Sequence, residues 1–210
     1  TYAIALANNS SKDADVHIDD GPGGAVSNDY VVLAGEMLTI EDLPWKDHIK
    51  NAVSGLFPSA IYGTRKIANA VYHVTSSMPV TAYQFNPLDY SSFDETTFSY
   101  TNDASLLLPA HIYRDEYVVM ARPTWKVDYF GSLPYQPGFV AILGSDKETT
   151  IVKIESTAYT LGSDAFSNES YAPMAPGDSM SGVEIGPYEV LQLFSANEPG
   201  CPEATPCSSY

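Results

Sequence analysis

The sequence has few positive charges. Ten Lys and Arg stand against 26 Asp and Glu in a chain of 210 residues, so the formal net charge is −16. Nucleic-acid binding depends on basic side chains that neutralise phosphates, and attraction to anionic membranes depends on the same charges. The composition therefore argues against nucleic acid and anionic membranes as partners, and it suits a secreted protein that meets divalent cations.

Long hydrophobic runs are also missing. No stretch approaches the ~20 apolar residues of a membrane-spanning helix, so we do not expect a membrane-embedded protein. No basic segment leads into an apolar one in the manner of a signal peptide, and we expect that any export signal has already been removed. With 44% apolar residues, including fifteen tyrosines, the chain can nevertheless bury a sizeable core.

Cysteine is scarce and confined to the end of the chain. Cys201 and Cys207 lie in the segment "PGCPEATPCSSY" with five residues between them. They can close a small disulfide loop or remain two free thiols, and no nearby histidine completes a zinc site. We favour the disulfide, which implies an oxidising compartment.

Short apolar runs separated by turn residues fill the rest of the chain. This pattern predicts an all-β fold, a β-sandwich of antiparallel sheets with long decorated loops. We expect one sandwich unit over residues 1–198, or two packed halves that divide near residue 100, followed by a Pro- and Cys-containing tail over 199–210. The predicted hairpins cover residues 70–85 and 137–157, and a short strand is predicted over "EYVVMARP".

Helix signals are weak and loop signals are strong. "PWKDHIKNAVSGLF" has apolar residues at helical spacing, and "DASLLLPAH" can form one helical turn that ends at Pro109. Two segments rich in Ser, Thr, Asp and Tyr, residues 86–101 and 156–182, are predicted to be long exposed loops. Loops of this kind on a rigid scaffold often carry function.

Acidic residues before a glycine-rich turn form the one candidate metal site. Asp19 and Asp20 precede "GPGG", and carboxylates in loops are typical ligands of Ca²⁺. The alternative is that both residues end a strand and begin a turn. Ca²⁺ is the only cofactor that the sequence indicates. The four histidines are scattered and lie in no recognisable catalytic motif.

Tyrosines in the loops are candidates for recognition, because tyrosine offers a flat contact surface at low entropic cost. The alternative is that tyrosine is common in strands and at sheet edges. The candidate binding-loop residues are Tyr90, Asp94, Tyr100 and Tyr171.

Two polar clusters occur in the sequence, one in the segment "VTAYQFNP" and one in the segment "NDASLLLP". Burying an amide without a hydrogen-bond partner destabilises a protein by about 1–3 kcal/mol. We therefore expect these side chains to form hydrogen bonds that hold the loops between strands in place. The predicted structural polar network consists of Gln84, Asn86, Asn102 and Asp103.

Five segments together resemble the N-terminal domain of the IgGFc-binding protein family. They occur in the family's order and extend over roughly residues 1–200, and their sequences are "VTSSMPVTAYQFNP", "NDASLLLPAH", "EYVVM", "PGFVAILGSDKETTIVKI" and "YEVLQL". The family includes a large mucus protein of animals and many secreted or surface proteins of bacteria. The resemblance implies that residues 199–210 are the truncated end of a module.

The resemblance implies a non-enzymatic extracellular or cell-surface domain used for adhesion, which binds protein or glycan through its loops and can self-associate. Binding of immunoglobulin is not carried over, because the matching segments look like strands and corners. Two alternatives remain open. One is a structural subunit of a surface fibre or matrix, and the other is a glycan-active enzyme with Asp89, Asp94 and Asp103 around Tyr100.

Overall fold

The computed structural model describes residues 2–46, 63–85, 104–122, 124, 137–165 and 167–199. These residues contain twelve β-strands, one short 3₁₀ helix at Ala110–Ile112 and no α-helix, which confirms the all-β prediction. The strands are β1 (Ala3–Ala7), β2 (Ala14–Asp19), β3 (Ser27–Val32), β4 (Met37–Ile40), β5 (Arg65–Ile67), β6 (His73–Ser76), β7 (Thr81–Phe85), β8 (Ala104–Leu107), β9 (Phe139–Leu143), β10 (Thr150–Glu155), β11 (Ser179–Ile185) and β12 (Val190–Phe194).

The chain divides into two compact units, each built from two discontinuous segments. Unit 1 comprises Thr1–Phe57 and Asn69–Arg114, and unit 2 comprises Pro58–Ala68 and Asp115–Tyr210. In the part of the chain that is described, each unit contains two antiparallel sheets that share a hydrophobic core. This is the sandwich arrangement that the turn spacing predicts.

Unit 1 contains a four-stranded sheet in the order β4-β1-β7-β8 and a three-stranded sheet in the order β3-β2-β6. Buried side chains alternate along β2, as expected when one face of a sheet is buried, whereas four consecutive residues of β1 are buried. Ile4 and Leu6 of β1 and Val16 and Ile18 of β2 all belong to one buried cluster. The side chains between them on β2 therefore point to the other face of the sheet.

Unit 2 contains a three-stranded sheet in the order β5-β12-β9 and the two-stranded ribbon β10-β11. Val183 and Ile185 of β11 pack with Leu191 of β12 in a buried cluster that also includes Tyr171. The ribbon has a register shift between Val152 and Ile154. The segment between β10 and β11, predicted to be an exposed loop, thus supplies a core residue.

Two predicted hairpins are wrong in their pairing, although their strands exist. β6 pairs with β2 and β7 pairs with β1 and β8, so the two strands lie in different sheets of unit 1. Likewise β9 pairs with β12 and β10 pairs with β11. Each connection is an arch between facing sheets, because each strand finds a longer-range partner that buries its apolar side.

Three local predictions have other outcomes. The segment predicted as a helical turn forms β8, because its alternating side chains pair with β7. Residues 117–122 form no strand in the described part, and their apolar side chains are exposed. The predicted helix after Pro44 lies largely outside the described residues. Among the residues that the structure describes, no helix has the length and hydropathy needed to cross a membrane.

Candidate binding surface

The outward face of the β3-β2-β6 sheet in unit 1 is polar. Because Val16 and Ile18 point into the core, Asp15, His17 and Asp19 of β2 point outward. The strand register adds two rows of neighbours across this face. Asp29, His17 and Thr75 form one row, and Asp19 and His73 lie side by side in the next.

An open depression of about 460 Å³ lies over the first of these rows, that of Asp29, His17 and Thr75. Its floor is formed by the three strands, and its polar rim comes from residues that the register brings together across the sheet. The residues that line it are Asp15, Val16, His17, Asp29, Tyr30, Val31, Thr75, Ser76 and Ser77.

A histidine–carboxylate pair forms the centre of the surface. His17 Nδ1 lies 2.7 Å from Asp29 Oδ1, and this hydrogen bond orients the ring so that Nε2 lies 4.0 Å from Asp19 Oδ2. His73 Nδ1 lies 3.8 Å from the same Asp19 oxygen. The Asp29 side chain is 90% exposed and that of His17 is 40% exposed, so both can reach a ligand in solution.

The end of the depression is held by backbone contacts between β2 and the residue that follows β6. The Asp15 N–H donates to Ser77 Oγ at 2.8 Å, and the Ser77 N–H donates to the Asp15 carbonyl at 2.8 Å. These two bonds fix the position at which the exposed Asp15 carboxylate leaves the sheet. The surface is therefore rich in hydrogen-bond acceptors on a rigid support.

Its chemistry favours ligands with many hydrogen-bond donors. Carboxylates and a singly protonated imidazole accept from hydroxyl and amine groups, and the Thr75 hydroxyl can donate or accept. The order carboxylate, imidazole, hydroxyl across Asp29, His17 and Thr75 is also that of a nucleophilic triad. Between these described side chains, however, the only hydrogen bond is the one from His17 to Asp29.

The two aspartates of the predicted metal site have separate environments. The Asp19 carboxylate accepts from the Gly21 N–H at 3.0 Å and faces the histidines. Asp20 is buried, accepts from the N–H groups of Val26 and Ala25, and forms an ion pair with Lys46 at 2.5 Å. In the described segments no group of three or more His, Cys, Asp or Glu side chains is arranged to hold a metal. Calcium binding stays a prediction.

The other predicted site residues are placed as follows. Gln84 lies on β7 between Ile4 and Ser105 in the register. Tyr171 is buried in the unit 2 core, and its hydroxyl donates to Glu169 Oε2 at 2.9 Å. The binding-loop, polar-network and disulfide predictions stay untested at the residues outside the described part, which are Asn86, Tyr90, Asp94, Tyr100, Asn102, Asp103, Cys201 and Cys207.

Sequence reasoning missed a buried cationic pair in unit 2. The Arg65 side chain is fully buried and pairs with Asp164. Lys66 Nζ contacts the Glu169 carboxylate, lies 3.4 Å from Glu189 Oε2 and donates to the Glu184 carbonyl at 2.9 Å. The only sequence signal is that adjacent basic residues are rare in this acidic chain.

The charges around Lys66 stabilise one another. Burial alone would lower the pKa of Lys66, but Glu169 and Glu189 raise it above its ordinary value. The hydrogen bond from Lys66 in turn holds the pKa of Glu169 below its usual range. Burial and the neighbouring Glu169 raise the pKa of the Tyr171 hydroxyl. These groups are engaged in holding the loop around residues 163–171 to β5, which is a structural role.

Comparison with known proteins gives no identification. No protein-family model, no curated protein and no solved structure matches the chain. The resemblance to the IgGFc-binding protein family stays a prediction based on the five segments quoted above.

Proposed function

We propose that this protein is a non-enzymatic extracellular binding module that uses the polar depression of unit 1 to hold a protein or glycan ligand. The observation that carries the proposal is the rigid, acceptor-rich surface around His17 and Asp29. Adhesion at a cell surface or matrix is the setting that the family resemblance implies.

Among ligands, neutral glycans fit the surface best. Their hydroxyl groups can donate to Asp15, Asp29 and His17, all of which line the depression. Anionic ligands are disfavoured by the carboxylates there and by the net charge of −16. Because the depression is open, water competes with each hydrogen bond, so we expect modest affinity for a single sugar and gain from multivalency.

The proposal is tested by screening the purified chain on glycan and protein arrays and then measuring affinity by calorimetry. We expect His17→Ala and Asp29→Ala to weaken binding about tenfold or more, as for residues central to an interface. Lys153→Met, an exposed change in unit 2, serves as the control and should bind normally. Unchanged binding by both unit 1 variants would show that the ligand site lies elsewhere.

A glycan-active enzyme is the second candidate, favoured by the Asp29–His17–Thr75 row. We rank it lower because Asp29 is almost fully exposed and His17 is partly exposed, whereas catalytic groups usually work in a site from which water is largely excluded. Release of reducing ends from a bound glycan, abolished by His17→Ala, would support the enzyme and contradict the binding module.

A further inference from the structure

Two histidines and an aspartate converge on the outward face of the β3-β2-β6 sheet. His73 of β6 lies opposite Asp19 of β2 in the strand register, and His17 lies two residues before Asp19 on the same face. Asp19 Oδ2 lies 4.0 Å from His17 Nε2 and 3.8 Å from His73 Nδ1. One carboxylate oxygen therefore faces nitrogen atoms of two imidazole rings, and we call these three residues the histidine–aspartate cluster.

The tautomer of His17 is set by Asp29. An ionised carboxylate can only accept a hydrogen bond, so the contact of 2.7 Å between His17 Nδ1 and Asp29 Oδ1 places the ring hydrogen on Nδ1. The lone pair of the neutral ring is then on Nε2, which is the nitrogen that faces Asp19. Histidines that bind metals are usually supported by a carboxylate or carbonyl in this way, because the hydrogen bond fixes the ring and makes it a stronger ligand.

The Asp19 carboxylate is oriented in a similar manner. Its Oδ1 accepts a hydrogen bond from the Gly21 N–H at 3.0 Å, while Oδ2 faces the two histidines. Carboxylates that bind metals are commonly held by such hydrogen bonds. The side chains of the cluster are 20% to 40% exposed, so an ion and its remaining water can reach them from solution.

We propose that His17, Asp19 and His73 bind a divalent transition-metal ion of the Zn²⁺ type, with water in the remaining coordination position. Imidazole nitrogen suits Zn²⁺, whereas Ca²⁺ takes oxygen ligands. Three protein ligands and one water are a common coordination set of Zn²⁺. The proposal goes beyond the binding of a protein or glycan, because Asp19 and His73 lie outside the lining of the polar depression.

Metal binding requires a small contraction of the cluster. Ligand atoms of a tetrahedral Zn²⁺ site are about 3.4 Å apart, whereas the two distances here are 4.0 and 3.8 Å. As the side chains stand, they are therefore not arranged to hold an ion. Rotation of the Asp19 carboxylate and of the partly exposed His73 ring has to shorten each distance by about 0.5 Å, while the strand register keeps the backbone in place.

The electrostatic surroundings favour a cation. Asp15 and Asp29 lie on the same outward face as the cluster, and the strands β2, β3 and β6 contain no Lys or Arg. The net charge of −16 attracts divalent cations to the molecule as a whole. These charges raise the rate at which an ion arrives, whereas the two imidazole ligands select Zn²⁺ over Ca²⁺ and Mg²⁺.

The test is calorimetric titration of the intact chain with ZnCl₂, after treatment with EDTA and dialysis and without any glycan. Wild type should bind Zn²⁺ with one-to-one stoichiometry. His73→Ala and Asp19→Asn should each raise the dissociation constant about tenfold or more, because each removes a ligand. His111→Ala is the matched control, since His111 is exposed on the 3₁₀ helix outside this sheet, and it should bind like wild type.

Thermal unfolding gives a second readout. Zn²⁺ that binds the folded chain should raise the unfolding temperature of wild type and His111→Ala but not that of His73→Ala. Absence of Zn²⁺ binding by wild type, or equal weakening by His73→Ala and His111→Ala, overturns the proposal. Displacement of Zn²⁺ by an equal concentration of Ca²⁺ also overturns it. Glycan binding is measured in EDTA, so the ligand proposal and the metal proposal can fail separately.

Discussion

At the scale of single residues, Asp20 stabilises the turn between β2 and β3. Its two oxygens accept from the N–H groups of Val26 at 2.9 Å and Ala25 at 3.2 Å, and Lys46 pairs with it. Lys46 Nζ also lies 4.2 Å from the centroid of the Tyr72 ring, a cation–π contact that keeps the ammonium in place. The carboxylate is thus bound to the protein on several sides.

We expect Asp20→Asn to destabilise the protein by about 1–3 kcal/mol at pH 7, because the amide cannot replace the charged partner of Lys46. Burial alone would raise the pKa of Asp20, but Lys46 and the two N–H groups hold it below its ordinary value. A lowered folded-state pKa gives stability that is present above the unfolded value of about 3.9 and is lost as the pH falls through the folded value.

The stability difference between wild type and Asp20→Asn should therefore shrink when urea unfolding is repeated at progressively lower pH. The control is Asp15→Asn, because Asp15 is exposed on the outer face of β2. A gap that stays constant down to the acid limit would contradict the role given to the ionised carboxylate.

The Lys66 network allows a second residue-scale prediction. Lys66→Met should lower the free energy of unfolding by about 2 kcal/mol, since it removes charge-assisted hydrogen bonds from a buried ammonium. Because the folded-state pKa of Lys66 is raised, its contribution is present below its unfolded value and is lost as the pH rises through the folded one. Thermal unfolding of both proteins between neutral and high pH measures this.

Lys153→Met is the matched control for that change. Lys153 pairs with Glu155 on the same strand, and both side chains are largely exposed. Exposed ion pairs contribute little because water screens them. We expect its unfolding midpoint to equal that of wild type, and a loss as large as that of Lys66→Met would contradict the importance given to burial.

At the scale of strands and sheets, the sequence predicted where chain segments are extended better than which segments pair. The apolar runs of the two predicted hairpins located β6, β7, β9 and β10, because the alternation of side chains along a strand depends on neighbouring residues alone. Pairing is not local, and both predicted hairpins turned out to be arches between sheets. β5 and β11 were missed because their polar side chains obscure the alternation.

The candidate site was predictable only in part for the same reason. His17 and Asp19 could be placed on one face of β2 from their spacing. Their neighbours Asp29, His73 and Thr75 follow from the register of two other strands, which the sequence does not specify. None of the side chains that form the surface lies in a recognisable sequence motif. The pairing of β2 with β3 and β6 brings them together.

The bulge in the β10-β11 ribbon gives an element-scale prediction. Gly182 has φ +72°, a left-handed conformation that favours glycine, and it lies beside the register shift of the ribbon. A Cβ at this position would meet no atom within 4 Å. Any loss of stability in Gly182→Ala therefore comes from the strained backbone conformation and not from a steric clash. We expect about 1 kcal/mol of destabilisation by urea unfolding, with Ser181→Ala unchanged. Equal stability of both variants would show that the bulge relaxes.

At the scale of the whole molecule, the excess of negative charge acts on stability as well as on association. A net charge of −16 keeps molecules apart in dilute solution at low salt. The same excess opposes folding, because the carboxylates of one compact molecule repel one another.

Salt should therefore stabilise the fold. Raising the ionic strength shortens the range of the repulsion between carboxylates, so the midpoint of thermal unfolding should rise from low to high NaCl. A midpoint that falls would show that attractive ion pairs outweigh this repulsion. Repeating the series with MgCl₂ and CaCl₂ at equal ionic strength separates screening from specific binding. Equal effects of the two salts indicate screening, whereas a larger effect of Ca²⁺ that Asp19→Asn abolishes would establish the calcium site predicted at Asp19 and Asp20.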